Sequence, residues 1–89
     1  MKIKENFVLR QVAQVWVVLP LAEQTQNLNG MLTLTDSGAM LWKLLEQGCD
    51  LSALVEALTA EYEVSEDRAR ADAEKFTRKL LEFGCLDAD

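Results

Sequence analysis

Two short runs rich in β-branched and aromatic residues, Phe7-Val-Leu-Arg-Gln-Val12 and Val15-Trp-Val-Val-Leu19, open the chain and read as strands separated by two residues. Ala13-Gln14 lacks the Asn-Gly or Asp-Gly that a tight primed turn favours, so a bulge or a looser turn is expected there. Pro20 cannot donate to a ladder and ends the second strand, and Leu21 to Asn27 reads as a polar loop. A third strand within Leu28 to Leu34 returns antiparallel, with Gly30 as a candidate bulge.

From Thr35 onward the period changes from two to 3.6 residues, and only helices follow. Thr35 is placed to cap a first helix over Asp36 to Gln47, with Leu41, Leu44 and Leu45 on one face and Gly48 as its stop. Asp50 caps a second helix whose apolar positions Leu51, Leu54, Val55, Leu58 and Tyr62 keep the three-four spacing. Ser65 caps a third, which opens with Glu66 and Asp67 and closes with Arg78 and Lys79, each sign at the end the helix dipole favours. Ala69, Ala73, Phe76, Leu80 and Phe83 form its inward stripe, Gly84 stops it, and Cys85 and Leu86 are expected to pack back on the core. Three strands followed by three helices predict an α+β unit in which the helices cover one face of a small antiparallel sheet. The outer strands of such a meander are open edges, and the third lies beside the helical layer.

Length makes this a single expected domain, 1–89, with little room for a deep active-site cavity. Nine Lys and Arg against fifteen Asp and Glu leave a net charge of −6, which disfavours phosphate backbones and anionic membrane surfaces. Without a single His, His-dependent triads and most zinc sites are excluded, and Cys49 and Cys85 have no metal-ligand spacing. No metal or cofactor is therefore expected. The acidic pair Glu66 and Asp67 is accounted for by a helix N-terminus rather than by general acid-base chemistry. Trp42, among leucines and a methionine, reads as core packing rather than a binding platform. The charged start Met1 to Asn6 and the short apolar run Val15 to Leu21 are not a signal peptide, and no stretch reaches the roughly 20 apolar residues of a membrane span, so a cytoplasmic protein is expected. At 100° per residue, Arg68, Asp72, Lys75 and Lys79 fall in a strip beside the apolar stripe of the third helix; such a strip can be a solvated face or the border of a groove.

The early Val-Trp-Val-Val-Leu-Pro, then Leu34-Thr-Asp-Ser-Gly-Ala-Met-Leu-Trp-Lys-Leu-Leu, then Tyr62-Glu-Val-Ser, Ala71-Asp-Ala-Glu-Lys-Phe-Thr-Arg-Lys-Leu and Gly84-Cys-Leu, taken together and in this order, resemble the PqqD family of peptide-recognition proteins, the recognition elements of ribosomally synthesised and post-translationally modified peptides. Thr35 stands where the family more often has Asn, and Ala13-Gln14 replaces a Gly-containing turn. The resemblance implies a winged-helix-like fold without DNA binding, which captures the leader of a precursor peptide. It also implies a mode and a partner: the leader adds as a strand beside the third strand, against the third helix, and is presented to a modifying enzyme, often of the radical S-adenosylmethionine type. Mapped onto this chain, the expected peptide-binding residues are Gly30, Met31, Leu32, Thr33, Arg68, Asp72, Lys75, Phe76 and Lys79, with Phe76 shared between core and groove. The expectation is thus a non-catalytic protein acting by β-augmentation. Its rivals are a winged helix that binds nucleic acid, for which the first helix offers only Lys43, and a dimerisation module that would pair the same edge with its own copy.

Overall fold

The computed structural model of the chain describes residues 1–21 and 32–88. Its element order is β1 (Lys2–Ile3), β2 (Phe7–Val12), β3 (Val15–Pro20), β4 (Leu32–Leu34), α1 (Asp36–Gln47), α2 (Leu51–Glu61), α3 (Glu66–Phe83) and β5 (Leu86–Asp87). Strands β2, β3 and β4 form an antiparallel sheet in that order, so β2 and β4 are its edges among the described residues. The three helices follow it, giving the α+β fold expected from the pattern.

All three helix starts form because a side-chain oxygen meets an amide that has no intrahelical partner. Thr35 accepts from Gly38 N–H, Asp50 from Ala53 N–H and Ser65 from Arg68 N–H. Gly84, in the left-handed conformation at φ 92°, ends α3 and returns its amide to the carbonyls of Leu80 and Leu81. Val18, Leu32 and Leu34 of the sheet meet Leu41, Trp42 and Leu45 of α1, Leu54 and Leu58 of α2, and Ala69, Ala73 and Leu80 of α3 in one core. Trp42 lies wholly inside it, with its indole N–H donated to Glu46 Oε2 at 2.9 Å.

Four details differ from the sequence expectation. The hairpin carries neither a bulge nor a loose turn: pairing runs unbroken from Phe7 opposite Pro20 to Val12 opposite Val15, and Ala13 takes a positive φ of 57° to close the two-residue turn. Tyr62 belongs to no apolar stripe, since α2 stops at Glu61 and Tyr62 sits at its C-cap, exposed. The last turn of α3 contains no basic residue, because the helix runs to Phe83, beyond Arg78 and Lys79. The chain ends also make a second, two-stranded sheet from β1 and β5, which brings Cys85 and Leu86 into the core as expected. The polar loop and the candidate bulge at Gly30 lie outside the described residues.

Candidate peptide-binding edge and groove

The register of the sheet decides which backbone groups of β4 are free. A two-residue hairpin turn is closed by a hydrogen-bonded pair, here Val12 with Val15. At the far end Leu21 N–H donates to Asn6 O at 2.8 Å, an even number of residues away on both strands. Bonded and non-bonded pairs alternate, so Arg10 with Val17 and Val8 with Leu19 are also bonded across β2 and β3. Trp16 and Val18 therefore turn their N–H and C=O groups the other way, toward their β4 partners Leu34 and Leu32. Between those two, Thr33 faces Val17 in a non-bonded pair, and its N–H and C=O point away from the sheet.

Side chains follow the same alternation. Leu32 and Leu34 are buried in the core, and Thr33 is exposed. Among the described residues Thr33 is thus free on its backbone and at the surface, beside a groove. One cleft of about 350 Å³ is lined by Gln14 and Val15 of the hairpin, Thr33, Leu34 and Thr35 of the edge, Gly38 of α1, and Phe76 and Lys79 of α3. A second, of about 380 Å³, shares Thr35, Gly38, Phe76 and Lys79 with it and extends to Ser37, Leu41, Leu58, Asp72 and Lys75. The two form one channel from the β4 edge across the first turn of α1 and along α3.

Gly38 sets the depth of that channel. A Cβ at this position would lie 3.2 Å from Phe76 Cε1 and 3.4 Å from Leu34 Cβ, so any side chain here requires the Phe76 ring to give by a few tenths of an ångström. Phe76 is half-buried, packed on the core on one side and open to the groove on the other.

Of the residues expected from sequence, Thr33, Asp72, Lys75, Phe76 and Lys79 line this channel together. Leu32 is turned inward by side chain and backbone alike. Arg68 is absent from the lining; it lies exposed at the start of α3, with Nε 3.3 Å from Asp72 Oδ2. Gly30 and Met31 lie outside the described residues. Thr35, Ser37 and Gly38 were missed as lining residues. Their signal was available in the tight β4-to-α1 joint, which puts the helix start at the groove floor. Trp16 lies outside this lining: its indole N–H donates to Asp36 Oδ1 at 3.0 Å while Lys43 Nζ stands 4.7 Å from its ring centroid.

Other chemistry finds no support. Among the described residues there is no group of three or more His, Cys, Asp or Glu that could hold a metal ion, and no helix long and apolar enough to cross a membrane. Cys49 and Cys85 are free thiols, and burial pushes the Cys85 thiol up to about 11. Such a thiol is a packing residue rather than a nucleophile.

Comparison with known proteins places these features in context. A profile of the family described as Coenzyme PQQ synthesis protein D (PqqD) matches residues 16–86. A structure of TbiB1 in complex with the TbiA(beta) leader peptide superposes with a TM-score of 0.80 at 30% identity, over 100% of this chain and 98% of that one. A lasso peptide synthetase B1 complexed with the leader peptide has the same fold, with a TM-score of 0.75 at 23% identity over 94% and 93% of the two chains. No curated protein matches the chain.

Proposed function

The chain belongs to the PqqD family, and from that premise we propose that it captures the leader of a ribosomally synthesised precursor peptide and presents it to a modifying enzyme, of the radical S-adenosylmethionine type. Capture proceeds by strand addition to β4. The observation that carries this reading is the outward N–H and C=O of Thr33 at an open edge that faces a groove walled by α3. An extended peptide laid there meets two main-chain hydrogen bonds at Thr33, while alternate side chains point toward Phe76, Lys75 and Lys79. TbiB1, 30% identical over nearly its whole length, is itself in complex with a leader peptide, which supports the same role here.

The other edge is less suited. Phe7, Leu9 and Gln11 of β2 turn their backbone groups outward by the same alternation, but the channel opens on β4. Nucleic acid is disfavoured by a net charge of −6 and by an α1 whose single cation, Lys43, is stacked over Trp16. The role is recognition without catalysis, and neither metal nor cofactor takes part.

Titration of fluorescently labelled protein with the leader of a precursor encoded beside it tests the reading. Saturable one-to-one binding by the leader, and none by the leaderless core peptide, is expected. Equal binding of both, or binding by neither, refutes it.

A further inference from the structure

We infer that the groove selects acidic segments, taking carboxylates at alternate positions of the bound strand against Lys79 and Lys75. This inference rests on strand capture at β4 and adds what the captured sequence must carry. The two lysines line the channel one helical turn apart on α3. Their neighbours are already engaged: Arg68 reaches Asp72 at 3.3 Å, and Arg70 lies 3.9 Å from Glu66. Among the described residues neither Lys75 nor Lys79 has an acidic partner within 4.0 Å, and Asp72, the carboxylate in the channel, is held by Arg68.

Spacing gives the pattern. Four residues of α-helix advance about 6 Å, and two residues of an extended strand advance about 6.6–6.8 Å. Lysines at i and i+4 therefore match side chains at j and j+2, which lie on one face of the peptide, and four-carbon stems absorb the small mismatch. Charge elsewhere sharpens the choice. With fifteen acidic residues against nine basic ones, most of the surface repels an acidic peptide, and the groove is where two unpaired cations meet a free edge.

Selection from a displayed library of random peptides about ten residues long, the upper length of an ordinary strand, reads this directly. Wild type, the double variant K75Q/K79Q and the edge variant T33P are the baits, with circular dichroism confirming that each is folded; K79E alone serves should the double variant not fold. Peptides enriched by wild type are expected to carry Asp or Glu at alternate positions, and those enriched by K75Q/K79Q to lose that excess. In one selected peptide, Glu→Gln at either position should weaken binding by roughly 1.5- to fivefold at low salt, and the difference should vanish near 1 M salt. An acid frequency equal to that of the unselected library, or unchanged by K75Q/K79Q, overturns the charge inference and leaves capture standing. Failure of wild type to enrich any peptide over T33P overturns strand capture itself.

Discussion

Proline at two adjacent residues of β4 should give opposite outcomes. Leu32 is 7% exposed, and its N–H and C=O pair with Val18, which is wholly buried. Leu32→Pro removes the amide that satisfies the Val18 carbonyl. An unsatisfied buried acceptor costs about 1–3 kcal/mol, and replacing a buried leucine by the smaller ring adds roughly 1–2 kcal/mol of lost burial. A loss near 3 kcal/mol, out of a total of about 5–15 kcal/mol, lowers Tm by roughly 12–24 °C at about 4–8 °C per kcal/mol for a chain this size. Thr33→Pro takes away an amide that points away from β3, so no bond among the described residues is lost, and the extended backbone of Leu32 suits a following proline. Its stability should stay within about 1 kcal/mol of wild type. Binding is where it fails: one main-chain donor is gone and the ring projects into the path of the incoming strand, so leader affinity should fall at least about tenfold, or 1.4 kcal/mol. Thermal melts by circular dichroism and fluorescence anisotropy with labelled leader measure the two quantities for each variant. If Thr33→Pro unfolds as readily as Leu32→Pro, the hydrogen-bond alternation deduced for β4 is wrong. If it binds leader as wild type does, capture does not use this edge.

Other outcomes follow from the groove and the core. Gly38→Ala should leave Tm nearly unchanged, because a gain of about 0.5–1 kcal/mol in helix propensity offsets the 3.2 Å contact with Phe76, yet leader affinity should drop as the ring shifts into the channel; an unchanged isotherm would show that Phe76 does not wall the site. Asp50→Ala removes the cap on Ala53 and should cost about 1 kcal/mol in a denaturant titration with no effect on binding. Cys85 has its folded pKa raised to about 11. Its unfolded thiol ionises near about 8.5, so its contribution to stability is intact below that pH and is lost progressively toward 11. Cys85→Ala should flatten this part of the stability profile, and Cys85 should resist alkylation at pH 8 until the chain unfolds.

The helical half was legible in the sequence because its signals are local. Thr35, Asp50 and Ser65 each cap the helix that follows, and α1 runs over Asp36–Gln47 as its pattern implies. What the pattern did not reveal is set by distant contacts. Strands β1 and β5 are two residues each, too short for any period, and exist because the chain ends meet. Ala13 accepts a positive φ because the continuous β2–β3 ladder imposes it, against its own preference. The site was half legible for the same reason. Helical spacing puts Asp72, Lys75, Phe76 and Lys79 on one flank of α3. The outward parity of Thr33 needed the register of β3, and the place of Gly38 at the groove floor needed the approach of α3 to α1. Arg68 shares the strip in projection, but its guanidinium pairs with Asp72 and does not itself line the channel.

The proposed strand capture at β4 turns on one amide, and amide hydrogen exchange at Thr33, followed by NMR with and without saturating leader, measures it. In the free protein that amide should exchange nearly as fast as an unstructured one, while those of Leu32 and Leu34 are protected by β3. Bound leader should slow Thr33 by orders of magnitude, since its N–H then lies inside a ladder. A saturated complex in which Thr33 still exchanges freely would contradict the account.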